Sequence, residues 1–129
     1  MMKSGYPTLL LSLLLGCSEF REPEAQDPSP VFGCYMSSSA PAFALGPQGL
    51  MLNSTQKTVP FRYEFRKVGM IVRAPISANV EGGRYVFRNS DDRIYRVIFS
   101  AGQPIIRVAF GKEGYIVDYV RYPSTNCKL

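Results

Sequence analysis

Histidine is absent from this 129-residue chain. That removes the side chain that serves most often as a general base near neutral pH and as a metal ligand. Cysteine occurs three times, an odd number, so at least one thiol needs a separate account. No Cys-x-x-Cys spacing is present, and a dithiol redox centre has no motif to rest on. Acidic residues are scarce beyond residue 30. Glu64, Glu81, Asp91, Asp92, Glu113 and Asp118 face 13 lysines and arginines over 31–129, and 13 − 6 gives a formal charge of +7. Helical periodicity is missing from residue 31 onward, which argues against helical bundles and α/β folds. The Ser37-Ser38-Ser39 run has no histidine to activate it, and Asp91-Asp92 lacks the further oxygen ligands of a calcium loop. Neither VEGG at 80–83 nor GKEG at 111–114 has the spacing or the following helix of a phosphate loop. No catalytic residue, metal site or cofactor site emerges, and the chain reads as non-enzymatic.

What is present begins at the N-terminus. Lys3 is the only charge in the first 18 residues, and 9–15 is an apolar run broken only by Ser12. This is too short for a membrane span, which needs roughly 20 apolar residues, and fits the core of a secretory signal. The run ends in Leu14-Leu15-Gly16-Cys17, which resembles the lipobox of bacterial lipoproteins. The resemblance covers about 20 residues and implies cleavage after Gly16, with Cys17 as the acylated lipid-attachment residue. Ser18 rather than Asp follows Cys17; by the sorting pattern of enteric-type lipoproteins this favours the outer membrane, facing the periplasm.

With Cys17 assigned to lipid, Cys34 and Cys127 remain as an even pair in an oxidising compartment, and a disulfide between them would close a loop of about 93 residues. The stretch 18–30, SEFREPEAQDPSP, holds four acids, one arginine and three prolines, the composition of an extended tether. The organisation expected is a signal peptide at 1–16, a lipidated cysteine and tether at 17–30, and one domain at 31–129.

That domain reads as strands. Phe61, Tyr63 and Phe65 alternate with Arg62, Glu64 and Arg66, a period of two that puts one face in a core and the other in water. Similar runs cover 70–76, 84–88, 93–100, 105–111 and 115–122, with shorter strands at 31–37, 42–45 and 49–53. Turn residues are expected at 79–83, 89–92, 101–104 and 111–114. Short connections imply an antiparallel meander, and a Cys34–Cys127 bridge would draw its ends together into a small barrel or sandwich.

Two surface features follow from the alternation. Arg62, Arg66, Arg73, Arg84, Arg88, Arg96 and Arg107 fall opposite the aromatic core positions and form a candidate anion-binding face, since a guanidinium fork suits phosphate or carboxylate. Ile94, Ile98, Ile105, Ile116 and Val120 also point outward, a candidate apolar interface. Three functions remain in view: an envelope interaction or inhibitor module that binds a protein partner, a lipocalin-like barrel holding a small apolar ligand, and a basic face on anionic envelope polymer or lipid. Export argues against nucleic acid. The first resembles, in architecture alone, the lysozyme-inhibitor lipoproteins, whose aromatic-and-lysine signature is not found here.

Overall fold

The computed structural model describes residues 25–52, 58–122 and 127. The lipobox and Cys17 lie outside the described residues. Among the described residues a 3-10 turn, Ser29–Val31, precedes nine strands: β1 Gly33–Met36, β2 Phe43–Gly46, β3 Gly49–Leu52, β4 Thr58–Val59, β5 Arg62–Arg66, β6 Gly69–Glu81, β7 Arg84–Ser100, β8 Gln103–Phe110 and β9 Tyr115–Tyr122. They form one antiparallel sheet, ordered β4-β3-β2-β1-β9-β8-β7-β6-β5, that curls into a half-barrel.

The chain makes two meanders, β1–β4 and β5–β9, joined where β1 lies against β9 with Tyr35 opposite Arg121 and Met36 opposite Val120. Only Pro60 and Phe61 separate β4 from β5, so the two outermost strands of the sheet follow one another in the chain. Cys34 and Cys127 stand at bonding distance, with Cα atoms 5.6 Å apart. The all-β antiparallel class implied by the alternation is the observed one.

One expected turn is absent and another is shorter than expected. Residues 89–92 lie inside β7, a 17-residue strand. Pro75 of β6 has no N–H to give the ladder, and the register shifts there, so that Ala74 faces Arg93 and Ile76 faces Asn89. Ser90, Asp91 and Asp92 form the resulting bulge. The other expected loop, 79–83, shrinks to Gly82-Gly83, whose φ values of +57° and +76° suit a tight hairpin turn.

The core fills the concave side. Phe43 stacks on Tyr35 and meets Tyr119 edge-on, with ring centroids 5.1 and 4.8 Å apart, while Phe110 packs on Phe87 and Tyr85 at 5.3 and 4.7 Å. Val31 of the 3-10 turn is fully buried in the same cluster. The void left between Phe43, Val72, Ile76, Phe87 and Ile106 is about 20 Å³, near the room one water occupies. Phe65 and Phe99, expected inside on parity, are 57% and 45% exposed.

Buried phenols tie the core to the backbone. Tyr35 donates to the carbonyl of Val31 at 2.7 Å, Tyr119 to that of Pro41 at 2.8 Å, and Tyr95 to that of Ile76. Burial raises Tyr35 and Tyr119 above the ordinary tyrosine range and pushes Tyr95 up to about 12. The unfolded chain ionises these groups near pH 10 and the folded chain only higher. Their contribution is therefore complete below pH 10 and falls above it, by about 1.4 kcal/mol per pH unit for each fully buried phenol. Cooperative unfolding is expected between pH 10 and 12, with phenolate absorbance and far-ultraviolet circular dichroism changing together. Smooth ionisation near pH 10 with unchanged dichroism would contradict this.

Candidate interaction surface

Cross-strand partners share a face, so the register defines the outer surface row by row. Ile98, Ile105, Val120 and Met36 stand opposite one another across β7, β8, β9 and β1. The next row holds Arg96, Arg107 and Asp118, and beyond it come Ile94 on β7 and the facing pair Ala109 and Ile116. Two apolar bands thus flank an ionic one. Ile94, Val120 and Met36 are each 40–52% exposed, Ile116 is 59% exposed, and Ile98 and Ile105 are half-buried. All five aliphatic positions read from the sequence therefore lie on the outer side of three adjacent strands. Met36 extends their row, a neighbour that only the β1–β9 pairing supplies.

The seven arginines on the outer side are not seven free cations. Arg62, Arg66 and Arg73 all converge on Glu64, at 2.9, 2.9 and 3.0 Å. Arg88 pairs with Glu81 on the β6–β7 arm, and Arg107 makes a two-point fork to Asp118 at 2.8 and 3.0 Å. The hydrogen bonds from these forks hold the carboxyls of Glu81 and Asp118 below the usual carboxylate range. Arg84 and Arg96 carry no ion pair or side-chain hydrogen bond among the described residues. The basic face is therefore largely spent on internal carboxylates, and Arg96 is its free member between the apolar bands.

An open groove of about 1050 Å³ runs along this surface. Ser77 and Asn79 of the β6–β7 arm form one side; Ile94, Arg96, Arg107 and Ile116 form the other, and Lys112 stands at one end without an ion pair among the described residues. The arm is held over the end of β8 by the Gly111 N–H, which donates to the carbonyl of Ala78 at 3.1 Å. Residues read as two unrelated sets, basic and apolar, meet here.

Glu64 is the feature the alternation misplaced. Its position is on the wet side of β5, yet it is fully buried, roofed by the three guanidiniums. The surplus of arginine at 62, 66 and 73 around one acid is the signal that could have found it. The segment expected to be tether also differs: Ala25 bridges to Glu64, the Gln26 N–H donates to the Tyr63 carbonyl at 2.7 Å, and the Arg121 guanidinium donates to the Pro30 carbonyl at 3.0 Å. Residues 25–30 are thus hydrogen-bonded to the domain at three points, while all of them except Pro28 stay exposed. Among the described residues no three His, Cys, Asp or Glu side chains cluster as metal ligands, and no helix is long and apolar enough to cross a membrane. No family model, curated protein or solved structure matches this chain, so its function is read from its own residues.

Proposed function

We propose that this chain is a lipid-anchored protein of the bacterial envelope, attached through Cys17 to the outer membrane and facing the periplasm, and that it acts as a non-catalytic interaction or inhibitor module. Its partner is a protein surface that sets an acidic side chain against Arg96 and Lys112 and apolar side chains against the bands beside them. The observation that carries this reading is the outer row Ile98, Ile105, Val120 and Met36 beside an unpaired Arg96. Contiguous apolar surface rimmed by charge is the usual mark of a protein-binding patch. The competing small-ligand reading is weakened by the filled interior, since about 20 Å³ compares poorly with the ~300–1,000 Å³ of ordinary ligand sites.

A photo-crosslinking residue placed at Ile116 or Val120 in the producing cell should yield the same discrete protein adduct from both sites. One placed at Arg84, on the far arm, should not. Arg96→Glu combined with Val120→Asp should weaken capture at least about tenfold without lowering the melting temperature, because both side chains are exposed. Absence of any discrete adduct from either site would overturn the proposal. Capture of anionic polymer that fades steeply with salt would replace it with the polymer-binding reading.

A further inference from the structure

The turn between β5 and β6 has an unusual surface. Phe65 and Val68 are each 57% exposed, although they lie within three residues of one another and next to the fully buried Glu64. Around them stand Arg62, Arg66, Lys67 and Arg73, four cations against the carboxylates of Glu64 and Asp92, a local surplus of two. An exposed aromatic and an exposed aliphatic at a hairpin tip, with Lys67 in the turn and a local surplus of positive charge, match the two demands of a lipid interface. The apolar tips suit the boundary between headgroups and acyl chains, and the cations suit lipid phosphate.

The path of the chain places the same hairpin near its anchor. Ala25 bridges to Glu64 and the Gln26 N–H bonds to Tyr63, so the N-terminal segment joins the domain on β5 itself. If Cys17 carries the lipid, only residues 18–24 separate it from that point. Eight Cα–Cα steps reach at most roughly 28 Å. The β5–β6 hairpin is thus the part of the domain tied most closely to the bilayer.

We infer that the β5–β6 hairpin is a membrane-docking element: Phe65 and Val68 enter the headgroup region of an anionic bilayer while Lys67, in the turn beside them, lies against lipid phosphate. The orientation inferred rests on the lipid-anchored reading above.

The chain contains no tryptophan, so Phe65→Trp introduces a single fluorescent reporter. The full chain carrying it is extracted from membranes and reconstituted into vesicles of phosphatidylethanolamine and phosphatidylglycerol, some with brominated acyl chains. Its emission should shift to the blue and be quenched about twofold or more by the brominated lipid, as expected for a ring ~5–10 Å into the interface. Ile116→Trp on β9, four strands from β5 in the sheet, should be neither shifted nor quenched. Adding Lys67→Glu and Val68→Asp, both exposed positions, to the Phe65→Trp chain should return its signal to the Ile116→Trp level. Equal quenching of the two reporters, or quenching that survives the double charge change, overturns the docking element. The mass of the N-terminal peptide from the same preparation decides the anchor separately: an unacylated Cys17 sinks the lipoprotein reading, while the quenching result still decides the hairpin.

Discussion

Glu64→Ala is expected to lower the free energy of unfolding by about 3–5 kcal/mol, the usual cost of removing one member of a buried ionic cluster. Three guanidiniums converge on this carboxylate, and it is fully buried. Its removal would leave like charges facing each other across β5 and β6, with Arg73 itself largely covered. Glu64→Gln keeps the shape and an acceptor oxygen but loses the charge, so it should fall between Ala and the parent chain. Arg62→Ala should cost less than about 1 kcal/mol, because that side chain is 43% exposed and its loss leaves two guanidiniums on the carboxylate. Urea midpoints for the three variants are the measurement. A Glu64→Ala chain within about 1 kcal/mol of the parent would mean that the cluster contributes charge placement but no net stability.

The second large effect is expected at the other end of the domain. Replacing both Cys34 and Cys127 with serine frees a loop spanning 93 positions. On the chain-entropy view a crosslink of that span contributes up to about 4–5 kcal/mol, and realised values are commonly lower. A loss of about 2 kcal/mol or more should lower the melting temperature by roughly 10 °C or more in a domain of this size. Cys34 is only 3% exposed, so the serine hydroxyl enters a covered site and adds to the loss rather than offsetting it. Reduction of the unmodified chain should reproduce most of the shift without that added cost. If reduction and substitution both leave the melting temperature unchanged, the crosslink does not restrain the unfolded chain.

The class of the fold was legible because alternation at Arg62–Arg66 and 93–100 is a local signal, set by which side chains meet water along one strand. The ends of strands were less so. The polar run at 89–92 has the composition of a turn, and only the partner strand, through Pro75, makes it a bulge within β7. The apolar positions Ile94, Ile98, Ile105, Ile116 and Val120 could be placed on the outer face from parity alone. Their neighbour Met36 could not, since it reaches them through a pairing between residues more than 80 positions apart. The arginines show the complementary difficulty. Parity put seven of them on one side, but whether a guanidinium is available to a ligand depends on which carboxylate lies within reach. Arg107 is occupied by Asp118 across the strand pair, and Arg96 next to it has no such partner. Phe65 was misplaced in the same way: its parity is inward, opposite Met70, yet it is 57% exposed.

The β1–β9 junction also sets an order of assembly. β2 and β3 can pair as soon as residues 43–52 are made, and β5 through β9 can add to one another in turn. β1 is different: it lies between β2 and β9, and β9 closes only at Tyr122 of a 129-residue chain. The first of the described strands is therefore the one completed last, paired on one side until β9 is made. Contacts across so long a stretch of chain slow folding, and sheets dominated by them take milliseconds to seconds rather than microseconds. During that wait the edge of β1 that β9 will cover stays unpaired, which is the interval in which it is most open to pairing with a strand of another copy.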